Sequence, residues 1–120
     1  MIRHVVDLLI GVICGMAFLF GAPPVRAAEC ANASFYCCKH QGQIMANGKP
    51  FNQNAMTAAH KTLPLGSVVR VTSGSKSVQV TISDRGPYAR GRIIDLSKAA
   101  FEKLAPTSRG VIQVCVTRLR

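Results

Sequence analysis

The sequence predicts a mainly β domain, small enough to close into a barrel and carrying one or two short helices. Three observations lead there. Segments 67–72, 77–82 and 111–119 are rich in β-branched residues and alternate apolar with polar side chains, the period-two pattern of half-buried strands. The periodic segments are joined by short polar turns marked by glycine or proline, with no linker long enough to separate two domains. Cysteines lie near both ends of the domain, at Cys30, Cys37, Cys38 and Cys115, where a bridge would fasten the first strand to the last.

Residues 1–27 are expected to be removed before the domain folds. Met1 to His4 gives a basic start, Leu8 to Phe20 is an almost unbroken apolar run, and Val25-Arg26-Ala27 offers compact residues where a signal peptidase reads. The run is shorter than the ~20 apolar residues that a membrane span needs, and Pro23-Pro24 ends it. A cleaved secretory signal followed by a domain over 28–120 is therefore predicted, with the protein periplasmic or secreted and not inserted in the membrane. Cys14 follows Ile13 and Cys30 follows Glu29, neither of which is the small-residue context of a lipid-attachment cysteine, so a lipid anchor is not expected.

The chain of 120 residues carries a formal charge of +10, and losing Arg3, Arg26 and Asp7 with the leader leaves +9. Such a field draws polyanions, and outside the cytoplasm those are wall polymers, anionic glycans and lipid head groups. Nucleic acid is not the expected partner, because few aromatic residues are available as stacking platforms. Four cysteines in an exported chain suggest two disulfides. A bond between the neighbours Cys37 and Cys38 would be strained, so each is expected to pair with Cys30 or Cys115, stapling the first and last strands. No Cys-x-x-Cys spacing occurs, and neither a metal site nor a cofactor is predicted.

Taken in order, residues 31–36 have strand character and 37–47 form a polar loop holding Lys39, His40 and Gln41. Asn47-Gly48 followed by Pro50 signals a sharp turn. Residues 54–60 are rich in helix formers but support only a turn or two of helix, with His60 at its end. The strands 67–72 and 77–82 are joined by a short hairpin loop over 73–76. Val78, Val80 and Ile82 share a face, and strict alternation would place Asp84 with them at the rim of the apolar interior, Arg85 pointing the opposite way. Residues 93–96 read as another strand, Ser97 as the cap of a helix over 98–104, and 111–119 as the closing strand with Ile112, Val114 and Val116 on one face.

Chemistry is expected around Ser83-Asp84-Arg85-Gly86-Pro87-Tyr88, where a strand delivers a carboxylate into a tight cationic loop. Asp84 is the leading carboxyl and Asp95 the reserve, read as structural and tying down the loop from Arg85 to Arg92. Arg85, Arg90 and Arg92 are suited to anions although a run of arginines is often a solvated face, and Tyr88 to stacking on a sugar ring or to core packing.

The stretches Ala33-Ser34-Phe35-Tyr36, Met45-Ala46-Asn47-Gly48, Met56-Thr57-Ala58-Ala59-His60-Lys61-Thr62-Leu63-Pro64-Leu65-Gly66 and Ser83 through Ser97 resemble the rare lipoprotein A family, in the family's order. The resemblance implies a six-stranded double-psi β-barrel, the fold shared with barwin and expansins. It also implies a lytic transglycosylase acting on peptidoglycan strands stripped of stem peptides, which it cleaves with formation of a 1,6-anhydro ring. By resemblance Asp84 and His60 are the catalytic residues, the histidine hydrogen-bonding substrate or orienting the carboxylate; Lys49, Thr57, Arg85, Tyr88 and Arg92 are the residues expected to contact substrate, in a monomer. Lys49 stands where the family's Ala-Asn-Gly-Glu pattern has glutamate. An ammonium at ordinary pKa cannot donate and recover a proton as a carboxyl does. Two readings follow: an enzyme working through Asp84 alone, or a non-catalytic, expansin-like wall-binding module in which Lys49 contacts an anionic polymer.

Overall fold

The computed structural model describes residues 28–120, so the expected leader over 1–27 lies outside the described residues. Six strands form the framework: β1 (Glu29–Tyr36), β2 (Thr57–His60), β3 (Val68–Ser73), β4 (Lys76–Asp84), β5 (Arg92–Ser97) and β6 (Ile112–Arg118). They close into a barrel in the order β1-β5-β2-β4-β3-β6. The pairs β1/β5 and β2/β4 are parallel, and the remaining pairs antiparallel. Closure leaves no unpaired sheet edge.

Alternation sends Val69, Val71, Val80, Ile82, Ile94, Leu96, Ile112, Val114 and Val116 inward, all buried. Each such side chain contributes about 1.5–3 kcal/mol on leaving water. The short helix α1 (Lys98–Glu102) plugs one side of this core with Ala100 and Phe101, and the Phe101 ring meets Phe35 at 4.6 Å. Ser97 caps α1 as expected, its hydroxyl accepting from Ala100 N at 3.2 Å. The hairpin between β3 and β4 is tighter than expected: Ser73 pairs with Lys76, and Gly74 at φ +60° supplies the turn.

Two expectations are corrected. Residues 57–60 are a strand, not a helical turn. β2 sits between β4 and β5 and pairs with both, so two ladders of hydrogen bonds override the helix propensity of Ala58 and Ala59. The cysteines also pair differently. Cys30 is the register partner of Cys115 across β1 and β6, and these two form the disulfide, with Cα atoms 4.1 Å apart. Cys37 and Cys38 are free thiols. They follow the far end of β1, and seven residues of extended chain carry Cys37 roughly 23 Å from Cys30, out of reach of either bridged cysteine. The staple between first and last strands is therefore present, but it is one bridge.

Candidate active site

Asp84 does not share a face with Ile82. The β2/β4 register runs Thr57 with Thr81 and Ala58 with Ile82, then shifts so that Ala59 pairs with Asp84. Ser83 is the extra residue of a β-bulge, and the bulge breaks the alternation on which the inward placement depended. Ile82 stays in the core with Ala58, whereas Asp84 joins Ala59 on the outer face of the barrel wall. Ser83 is buried and directs its hydroxyl at Met45 Sδ, 3.3 Å away.

The β2/β5 register pairs Ala59 with Asp95, and the β1/β5 register pairs Asp95 with Ser34. Partners across a ladder point the same way, so Ser34, Asp95, Ala59 and Asp84 form one row over four neighbouring strands. Tyr36, two residues beyond Ser34, lies on that face as well. The loop from 37 to 56 folds over it, its Phe51 stacked on the Tyr36 ring at 4.4 Å and His40 edge-on at 5.4 Å.

Within this row the two carboxylates are held differently. Asp84 Oδ1 accepts from the amides of Ala46 and Arg85, both at 2.9 Å, and Oδ2 has no hydrogen-bond partner among the described residues. Asp95 Oδ1 accepts from the Ser34 hydroxyl, and Ser34 Oγ in turn accepts from Arg92 Nη1 at 3.2 Å. Asp95 is thus engaged by a structural relay, and Arg92 is the far end of that relay. The Tyr36 hydroxyl is buried without a protein partner, as is Thr57 Oγ1 on the same face of β2. Burial, then the negative charges of Asp84 and Asp95, push the Tyr36 phenol above the ordinary tyrosine range.

The turn carrying Lys49 is fixed to the same wall. Met45 N donates to Lys49 O at 2.8 Å, Lys49 N to Asn47 Oδ1 at 2.9 Å, and Asn47 N to Ser83 O at 3.1 Å. Together with the Ala46 amide on Asp84, these bonds set Lys49 at the lip beside the carboxylate, while its own side chain is exposed. Its ammonium is not in salt-bridge contact with Asp84, since the ion pair within 4 Å among the described residues is between His60 and Glu29.

His60 pairs with Ile94 on the core side of β2, away from Asp84. Its Nε2 meets Glu29 Oε1 at 3.0 Å, while Nδ1 accepts from the amides of Thr62 and Leu63 at 3.2 and 3.1 Å. Two amides on Nδ1 leave the proton on Nε2, which donates to Glu29. The imidazole therefore shapes the turn 60–63 instead of touching Asp84. Arg85 reads that turn: its Nη1 donates to His60 O at 2.9 Å and Leu63 O at 2.7 Å, so its guanidinium is occupied by backbone. Tyr88 is 80% exposed and offers an open ring face beside the site. Arg90 is exposed too.

The turn carrying the predicted residue Lys49 is thus tied to Asp84 through the Ala46 amide, and Thr57 lies two residues before Ala59, the partner of Asp84. His60 and Arg85 support them from behind, and Tyr88 stands outside. The residues that the sequence did not single out are Ser34, Tyr36 and Ala59. Their signal was the parity of Ser34 and Tyr36 on one strand, readable only once Asp95 is known to lie opposite. A recess of about 620 Å³ opens elsewhere on the barrel, beside Cys30, Thr72, Gln113 and Cys115, and holds none of these groups.

Comparison with known proteins agrees with this architecture. The family model described as lytic transglycolase matches residues 28–116. The endolytic peptidoglycan transglycosylase RlpA of Neisseria meningitidis serogroup A is 44% identical over 93 residues, 76% of this chain and 39% of the relative. The protein of that name from Pseudomonas aeruginosa is 51% identical over 86 residues, 70% of this chain and 25% of the relative. The chain therefore spans about two fifths or less of the length of these relatives. Among solved structures, the Streptomyces papain inhibitor superposes with a TM-score of 0.64 at 28% identity, covering 82% of this chain and all of that one. A Clavibacter michiganensis expansin in complex with cellohexaose gives 0.63 at 20% identity, over 78% of this chain and 51% of that one, a likeness of fold. By its matching model and its relatives, the chain belongs to the RlpA-like lytic transglycolase family and is built on the double-psi β-barrel.

Proposed function

We propose that this domain is an endolytic peptidoglycan transglycosylase acting outside the cytoplasm, with Asp84 as its acid and base. The observation that carries the reading is the asymmetry of the Asp84 carboxyl: two amides hold Oδ1, and Oδ2 has no hydrogen-bond partner among the described residues. A carboxyl fixed through one oxygen can protonate the bridging oxygen between N-acetylmuramic acid and N-acetylglucosamine through the other. The muramic C6 hydroxyl then attacks its own anomeric carbon, closing the 1,6-anhydro ring, and the carboxylate takes that hydroxyl's proton. One carboxyl suffices because no water is activated, which is the difference from the paired carboxylates of ordinary glycosidases.

Tyr88 supplies an exposed face for a pyranose ring, while the Tyr36 and Thr57 hydroxyls are buried and unpartnered. His60 is a positioning residue in this scheme. It folds the turn whose carbonyls hold Arg85, and the Arg85 amide holds Asp84. Peptide-poor glycan strands are the proposed substrate, and the domain acts as a monomer. Among the described residues no helix is long and apolar enough to cross a membrane.

The exposed Lys49 beside Asp84 favours one second reading, a wall-binding module that holds an anionic polymer without cutting it. Purified protein incubated with peptide-stripped glycan strands distinguishes the two by mass spectrometry. The enzyme releases 1,6-anhydro saccharides, and Lys49→Glu raises that release. Retention on sacculi with no anhydro product from either protein overturns the enzymatic reading.

A further inference from the structure

We propose that Cys37 and Cys38 are a thiol–disulfide exchange site, a vicinal dithiol that a protein or small-molecule disulfide oxidises to a bond between neighbours. The fold does not need these cysteines for its staple, which Cys30 and Cys115 complete. The two sulfurs face each other: Cys38 Sγ lies 3.1 Å from Cys37 Sγ and 3.6 Å from Gln53 Oε1.

Access and reactivity agree with the geometry. Cys38 is exposed and Cys37 half-buried at the mouth of the loop that follows β1. Hydrogen bonds from Cys38, its thiol foremost and its backbone next, lower the Cys37 thiol below the usual cysteine range, and the charges of Lys98 and Lys39 act in the same direction. The thiolate is the nucleophile in exchange, so Cys37 attacks first.

The step balances as two-electron exchange. Cys37 thiolate displaces one thiolate from the oxidant and forms a mixed disulfide. Cys38, losing its proton, attacks Cys37 Sγ and expels the second thiolate. The dithiol becomes a disulfide and the oxidant becomes two thiols once the released thiolates take up protons. A bond between adjacent cysteines closes an eight-membered ring through the peptide that joins them and constrains that peptide, unlike the bridge between Cys30 and Cys115, which joins two strands. The product is therefore strained and easily reduced. Tyr36 is bonded directly to Cys37, so closing and opening the ring acts on the backbone that carries the Tyr36 hydroxyl toward the carboxylates. This inference stands independently of glycan cleavage.

The test equilibrates the full chain in glutathione buffers of graded disulfide content, followed by alkylation and peptide mapping. As the buffer becomes more oxidising, the peptide bearing Cys37 and Cys38 is expected to go from two alkyl groups to none, with loss of two hydrogens and no retained glutathione. Cys30 and Cys115 stay bridged throughout. Cys38→Ser, a change at an exposed position, is expected to trap glutathione on Cys37. Two thiols that remain alkylatable at the most oxidising ratio, or that each carry a glutathione, overturn the proposal.

Discussion

Asp84 and Asp95 face the same way from strands on either side of β2, with Ala59 the register partner of both. At the usual strand spacing their Cα atoms stand roughly 9–10 Å apart. The small alanine between them is itself buried, at 3% exposure. The pair is nonetheless unequal. Asp95 is taken up by Ser34 and, through it, by Arg92, whereas only one oxygen of Asp84 is hydrogen-bonded among the described residues.

Asp84→Asn retains an oxygen for the Ala46 and Arg85 amides but cannot cycle a proton. Anhydro-product formation is expected to fall by about 10²–10⁴-fold with little change in melting temperature. Asp84→Ala is expected to lose activity as well and to destabilise the fold by about 1–3 kcal/mol, because two amides lose their acceptor. Thermal unfolding beside a product assay separates the two effects.

His60→Ala leaves the Thr62 and Leu63 amides without Nδ1 and Glu29 without its partner. A loss of about 1–3 kcal/mol in chemical denaturation is expected, together with reduced activity as Arg85 loses its ordered turn. His60→Asn, whose side-chain oxygen can replace Nδ1, is expected to recover much of both. Recovered stability with activity still absent would mean that the imidazole itself touches substrate.

The raised Tyr36 phenol has a defined sign in stability. Above about pH 10 the unfolded chain releases this proton while the folded chain keeps it. The contribution is complete below that pH and is lost as pH rises toward the folded value. Tyr36→Phe keeps the stack on Phe51 and is expected to flatten the alkaline fall in melting temperature between about pH 9 and 12. An unchanged alkaline limb would show that the hydroxyl does not titrate late.

The bridge between Cys30 and Cys115 spans 85 residues of sequence. Replacing both with serine is expected to lower stability by about 2–4 kcal/mol. Equilibrium denaturation of the variant, compared with the intact protein without reductant, measures this directly.

Local patterns made most of the barrel legible in the sequence. Alternation set β3, β4 and β6, the serine cap set the start of α1, and the cysteines marked β1 and β6 as neighbours. What escaped was non-local. Residues 57–60 look helical by composition and become a strand because β4 and β5 lie on both sides of them. The face of Asp84 depended on whether Ser83 keeps the alternation, and a bulge that exists only against β2 decides otherwise. Asp84 and the Lys49 turn were recognisable from their motifs. Tyr36 and Ser34 were not, because their relation to the carboxylates arises from the parallel pairing of β1 with β5.

The most direct test of the central claim is cleavage of peptide-stripped glycan strands in water enriched in ¹⁸O, read by mass spectrometry. Intramolecular attack by the C6 hydroxyl predicts anhydro-muramic ends without ¹⁸O, and their absence with Asp84→Asn. Reducing ends that carry ¹⁸O, or strands left intact by the unaltered protein, would contradict it.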